Sequence, residues 1–290
     1  MRQSATGYGP ALVRAMENLL PPDKRLFEDA YSEKFISPFW RFWVALMHSP
    51  KILSFLIRMR ERMTPGIIGG LICRTRYIDD VLAAAIGEGF KSVVNLGAGM
   101  DTRVFRIPGV EKVQYFELDF PDSQKAKKSY IEKKVGELPS NVSFVPIDFN
   151  NQDIGEELQK AGYVLSSRTL FIWEGVTQYI SCEAVDNTLE YVARAAKGSR
   201  IVFTYVLQSF LDGTKIPDGL SGLYRLTLKK KNPLWVCGFE PAEMPEHLSK
   251  HSLSLIEDVG HEEYLERYLK PRGRDLSVME IERTILAEVK

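Results

Sequence analysis

Apolar and polar positions follow two different rhythms along the chain, and the change from one to the other divides it. From about Pro22 to Ala85 the apolar residues recur at helical spacing, as in Phe27, Ala30, Tyr31 and Phe35, then Phe39, Phe42, Trp43, Leu46 and Met47. Pro38, Pro50 and the Pro65-Gly66 pair interrupt the pattern. The greasiest stretch, Phe35 to Ile57, is broken by Arg41, His48, Pro50 and Lys51. It falls short of the roughly 20 apolar residues of a membrane span, and it reads as buried helix or a helical cap in preference to membrane contact.

From Ser92 onward short apolar strands alternate with helical segments. Strands are expected at Ser92–Leu96, Lys112–Leu118, Val142–Ile147, Thr169–Trp173 and Arg200–Val206. Helices are expected at Ser123–Lys134 (basic and exposed), Ile154–Ala161 and Cys182–Ala196. This alternation predicts an α/β fold, a mostly parallel sheet with helices on both faces. Phe210–Leu234, punctuated by Gly and Pro and carrying the run Lys229-Lys230-Lys231, reads as a surface loop or a lid. A helix at Ala242–His251 follows, then strands at Leu253–Val259 and Arg283–Val289, with the last strand expected to insert antiparallel. The division expected is residues 1–85 as an N-terminal helical cap and 86–290 as the sheet domain, with 207–240 as a lid-like insertion.

Lys+Arg and Asp+Glu both number 38, so the formal charge is zero, which removes the simplest case for a nucleic-acid partner. Cys73, Cys182 and Cys237 are odd in number and contain no CxxC pair, so neither a disulfide framework nor a thiolate zinc site is expected. That usage fits a reducing cytoplasm, and Met1–Pro10 lacks the basic-then-apolar run of a signal peptide.

The strongest local signal is Asn95-Leu96-Gly97-Ala98-Gly99-Met100-Asp101-Thr102, placed directly after a strand. Ligands of open α/β sheets bind at the carboxyl ends of the strands. Glycines there permit a tight turn, and exposed N–H groups can meet an anion. Glu117 and Asp119 stand on the next strand, on one face by alternation, where a carboxylate accepts bonds from ribose hydroxyls. Glu117 has a competing reading as a charge partner of Arg103 or Arg106. The combination points to a nucleoside cofactor. Thr102 occupies the place of the third glycine of a dinucleotide turn, which weighs against NAD, and the only Tyr-x-x-x-Lys spacing, Tyr130 to Lys134, falls on the basic helix.

The runs VVNLGAGMDTRVFRI (93–107), YFELDFPDSQKAK (115–127), PIDFN (146–150) and TLFIWEGVTQYI (169–180) resemble the leucine carboxyl methyltransferase family. The resemblance covers roughly Arg74 to Val206. It implies a Rossmann-like class I methyltransferase, a seven-stranded sheet with an N-terminal helical cap, and S-adenosyl-L-methionine as cofactor. It also implies roles: Arg74 for the cofactor's carboxylate, Gly97 and Gly99 under the methionine part, Asp119 for the ribose, Asp148 with Phe149 for the adenine, and Glu174 near the methionine ammonium. The family includes enzymes that methylate the C-terminal carboxylate of phosphatase subunits and prokaryotic O-methyltransferases of polyketide-type metabolism.

Methyl transfer from a sulfonium needs mainly alignment of nucleophile, methyl and sulfur, with no metal. A hydroxyl acceptor additionally needs a general base, whereas a carboxylate is already ionised at neutral pH. Arg103, Arg106 and Tyr179 are the candidates to orient such an acceptor. His247 and His251, four apart on one expected helix, read as surface residues rather than a metal pair. The expected activity is methylation of a carboxylate, or less readily a hydroxyl, of a small molecule. The alternatives are a protein C-terminal carboxyl methyltransferase and a non-catalytic S-adenosylmethionine-binding scaffold.

Overall fold

The computed structural model describes residues 8–149, 151–228 and 232–290. The Lys229–Lys231 run, Asn150 and the first seven residues therefore lie outside the described part. The described part opens with α1 (Tyr8–Glu17), α2 (Pro38–Met47), α3 (Pro50–Met63) and α4 (Ile67–Gly87). Prolines at the first turns of α2 and α3 start those helices, because their missing N–H is one that a helix leaves unpaired anyway.

Then the alternation begins: β1 (Ser92–Leu96), α5 (Arg103–Arg106), β2 (Gln114–Asp119), α6 (Pro121–Lys134), β3 (Val142–Pro146), α7 (Ile154–Lys160), β4 (Thr169–Trp173), α8 (Cys182–Ala193) and β5 (Arg200–Val206). The side chains of Asp153 and Ser181 accept from the N–H groups of Glu156 and Ala184, capping α7 and α8. The strands assemble into a seven-stranded sheet of order β3-β2-β1-β4-β5-β7-β6. The first five run parallel.

β6 (Leu253–Val259) and β7 (Glu282–Val289) close the sheet, with β7 antiparallel between β5 and β6. The expected late antiparallel insertion is observed. Strands buried on both faces read as continuous apolar runs, and β4 is buried at all five positions. Phe171 and Trp173 point into the core layer shared with α7, α8 and α11 (Met244–Lys250), while Leu170 and Ile172 point into the layer shared with α4.

Four findings depart from the sequence reading. The Phe35–Ile57 stretch is helical as expected but is not a buried helix: beyond Phe35 and Ile36, α2 buries only Val44 and Met47, α3 only Leu53, and Phe39 and Phe42 are 62% and 61% exposed. Helical periodicity marks an apolar face without saying whether anything covers it.

The Ser123–Lys134 helix is not simply exposed. Ser123, Gln124, Lys127 and Ile131 are buried, because the β2–α6–β3 crossover lays one side of α6 on the sheet. The Phe210–Leu234 stretch is not bare loop either. It holds α9 (Gln208–Leu211) and α10 (Ser221–Thr227), and Phe210 and Leu220 pack with Val206, Trp235 and Ile281 in a small core of their own.

Finally, Cys182 and Cys237, 55 residues apart, form a disulfide, and Cys73 is free and buried. No spacing rule links cysteines that far apart; the fold brings the start of α8 against the segment before α11. Among the described residues no helix is long and apolar enough to cross a membrane.

Candidate active site

The sheet order reverses at the β1/β4 boundary, and the crevice at such a point collects whatever follows the carboxyl ends of neighbouring strands. Here those ends carry Gly97 and Gly99 after β1, Asp119 at the end of β2, Asp148 after β3 and Glu174 after β4. Topology thus brings onto one edge residues that lie up to 77 positions apart in sequence. β7 runs the opposite way, so its first residue, Glu282, pairs with Val206 and arrives at the same edge.

Gly97 holds φ at +72°, and a Cβ there would stand 2.4 Å from a Val176 methyl. The turn's N–H groups are not left open for an anion, as the sequence reading expected. Those of Gly97 and Ala98 both donate to the Leu118 carbonyl, at 2.8 and 3.0 Å, and that of Gly99 donates to Asp119 Oδ2 at 2.5 Å. The turn therefore clamps the β2 end and orients its carboxylate. Replacing Gly97 by Ala is expected to cost about 1–3 kcal/mol in denaturant unfolding from the left-handed backbone alone. The control Gly87→Ala, in a helix with open space around its Cα, is expected to be neutral or slightly stabilising.

Asp119 is 9% exposed, and its second oxygen accepts from Phe120 N–H at 2.6 Å. Burial pushes its pKa above the ordinary carboxylate value, against the pull of those backbone donors. Glu117 does not pair with Arg103 or Arg106. It is buried with Lys127 Nζ at 2.6 Å, inside the layer between β2 and α6, and burial raises its pKa to about 7 despite the ammonium. Of the two acids on β2, Asp119 is the one at the crevice.

Glu174 sits between two arginines: Arg74 Nε at 2.8 Å and Arg103 Nη1 at 2.7 Å. Burial alone would raise its pKa, but the two guanidiniums outweigh it and hold the acid at about 2. Arg74, on α4, also grips Glu282 through Nη1, at 2.7 Å. Its Nη2 has no acceptor among the described residues and faces Gly175.

Arg103 is 2% exposed and fully engaged. Its nitrogens donate to Asp79 and Asp101 as well as Glu174, and to the Thr75 carbonyl. Arg106 is bound to Asp79 by two bonds, and Arg14 to Asp29 and the Met100 carbonyl. Four guanidiniums (Arg14, Arg74, Arg103, Arg106) thus face five carboxylates (Asp29, Asp79, Asp101, Glu174, Glu282). Asp79, Asp101 and Glu282 were missed by sequence reasoning. Asp79 stands five residues after Arg74 and Asp101 within the glycine-turn run, but nothing local marks Glu282.

Asp148 accepts from Asn151 Nδ2 at 2.7 Å, and the half-buried Phe149 packs on the core behind it. Tyr179 is half-buried, its ring edge-on to Trp235 at 6.5 Å, and burial raises its phenol pKa. The expected surface pair His247 and His251 faces Asp186 at 3.1 and 3.4 Å, three ligand atoms close enough together to hold a cation. Burial nonetheless lowers the His247 pKa. Tyr130 and Lys134 stay on α6, ammonium over ring at 4.8 Å.

Asp119 beside a glycine turn, with an acid–arginine cluster at the next strand end, suits a nucleoside bearing an amino-acid moiety. The strand order is that of the Rossmann-like class I methyltransferase fold. The model of the leucine carboxyl methyltransferase family matches residues 7–193, and the chain belongs to that family. A protein of Streptomyces coelicolor named as an S-adenosyl-L-methionine-dependent methyltransferase is 28% identical over 239 residues, 81% of each chain. A Frankia alni protein of the same name is 32% identical over 201 residues, covering 69% of this chain and 68% of its own. A crystal structure of a possible exported protein from Bordetella parapertussis aligns over 99% of this chain and 97% of its own, with a TM-score of 0.50 and 13% identity, a likeness of fold. The protein is an S-adenosyl-L-methionine-dependent methyltransferase.

Proposed function

We propose that the chain methylates the carboxylate of a small-molecule acceptor, with S-adenosyl-L-methionine held across the β1/β4 crevice. The residues present fit that cofactor. Asp119, fixed by the Gly99 and Phe120 N–H groups, would accept from the ribose hydroxyls. Asp148 and Phe149 would meet the adenine, Glu174 the ammonium, and the open Nη2 of Arg74 the carboxylate. One excess carboxylate in the cluster suits a ligand with one carboxylate against an ammonium and a sulfonium. When bound, the cofactor supplies an electrophilic methyl group.

The observation that carries the acceptor assignment is the state of the ionisable groups at the crevice. Glu174, held at about 2, is too weak a base to take a proton from a hydroxyl. Asp101 is held below its ordinary value, and Tyr179 above, so neither is poised near neutrality. Asp119, whose pKa burial raises, is taken up by the ribose in this reading, so no group described at the crevice is left to serve as a base, which favours an acceptor that arrives already ionised. Arg103, saturated by acids, then acts as the brace of Glu174, and Tyr179 is left as the group that orients the acceptor.

The test is methyl transfer from labelled S-adenosyl-L-methionine to matched carboxylic acids, alcohols and phenols. Label released as methanol by mild alkali identifies a methyl ester, the expected product. Alkali-stable label on an alcohol or phenol would overturn the carboxylate assignment.

A further inference from the structure

The strongest unexplained feature lies on α2 and α3. Two consecutive amphipathic helices, separated by His48 and Ser49, turn their apolar sides outward. Phe39, Trp40, Phe42, Trp43 and Leu46 on α2, and Ile52, Phe55, Met59 and Met63 on α3, are between 37% and 62% exposed. Such a patch marks an interaction surface.

Its charges say which kind. Arg41, Lys51, Arg58, Arg60 and Arg62 are all exposed on the same two helices. Their one acid, Glu61, is turned away, accepting from Gly66 N–H and Ser277 Oγ. Lys134 adds to the rim: burial, and then the nearby Arg41 guanidinium, lower its pKa. Aromatic and aliphatic side chains bordered by Arg and Lys are the composition of helices that lie in the plane of a membrane interface, where the rings enter the acyl boundary and the cations meet lipid phosphates.

We infer that the α2–α3 pair is a docking surface for an anionic lipid bilayer. A second copy of the chain fits the same surface poorly. In a two-fold dimer the patch meets itself, and five exposed cations would face five others with no exposed acid between them. An anionic bilayer satisfies both halves of the surface, taking up the apolar area and neutralising the rim. Neither helix crosses the membrane; both lie on it.

Flotation of the full chain with vesicles tests this directly. The chain is expected to rise with vesicles of equimolar phosphatidylcholine and phosphatidylglycerol, to stay behind with phosphatidylcholine alone, and to be released by salt. Brominated acyl chains are expected to quench Trp40 and Trp43, which separates insertion into lipid from plain attraction to phosphate. The triple variant R58Q/R60Q/R62Q is expected to bind anionic vesicles on the order of a hundredfold more weakly. Phe39→Ser with Phe42→Ser should abolish flotation while leaving S-adenosylhomocysteine affinity intact, which confirms folding. Absence of flotation, or equal binding to neutral vesicles, would overturn the inference. So would a dimer in light scattering that the Phe39/Phe42 variant dissolves, which would make the patch an interface between copies.

Discussion

Asp119→Ala is expected to lower affinity for S-adenosyl-L-methionine by a hundredfold or more while the protein stays folded. Charged acceptors of hydroxyl donors contribute about 1.5–3 kcal/mol each, and the assigned ribose offers two such donors. The structural cost is smaller. Two backbone N–H groups, of Gly99 and Phe120, lose their acceptor, but a carboxylate whose ionised form is disfavoured by burial is removed with it. A loss of about 1–3 kcal/mol leaves most of the stability of an ordinary domain.

Calorimetry and thermal unfolding on the same variant separate the two effects. The pH dependence carries a further signature. The Asp119 pKa is raised, so affinity should decline as pH falls into its titration, whereas Glu174, held at about 2, is still ionised there. Decline of affinity only near the Glu174 titration would remove Asp119 from the site.

Glu174→Gln is expected to damage stability and binding together. The substitution keeps the shape but turns two charge-assisted bonds, from Arg74 and Arg103, into neutral ones, a loss of about 2–3 kcal/mol because Glu282, Asp79 and Asp101 still pair the two arginines. For a chain of this size that is roughly 5 °C in unfolding midpoint. The sign with pH follows from the depressed pKa. The contribution of Glu174 is fully present above its ordinary value of 4.5 and is lost as pH falls toward about 2, so wild type and variant should converge in acid. A Glu174→Gln protein as stable as wild type at neutral pH, with undiminished cofactor affinity, would remove the residue from both roles.

The parallel part of the sheet is legible in the sequence because each of its strands is a short apolar run bounded by turn residues, buried on both faces. Gly97, Gly99 and Asp119 are legible for the same reason: the spacing from one strand end to the next is set by a single crossover. What pattern reasoning does not reach is the identity of partners. Glu117 reads in sequence as a second ribose acid or as a charge partner of Arg103 or Arg106, yet it meets Lys127, because the crossover helix α6 lies over its face of β2. Glu282 joins Arg74 across 208 residues, through an antiparallel strand whose start lands on the active edge.

The misreading of Phe35–Ile57 has another cause. A helix with aromatic residues on its outer side has the same periodicity whether that side meets protein, lipid or water. The Cys182–Cys237 bond likewise depends on a contact between α8 and a distant segment that no local pattern encodes.

The assignment of the crevice is tested most directly by a crystal structure of the protein with S-adenosylhomocysteine. It should show both ribose hydroxyls within hydrogen-bond distance of Asp119, the adenine against Phe149 with Asp148 at its edge, and the amino-acid end between Glu174 and Arg74. Ribose hydroxyls bound away from Asp119, with the amino-acid end clear of the Glu174–Arg74 pair, would contradict the account.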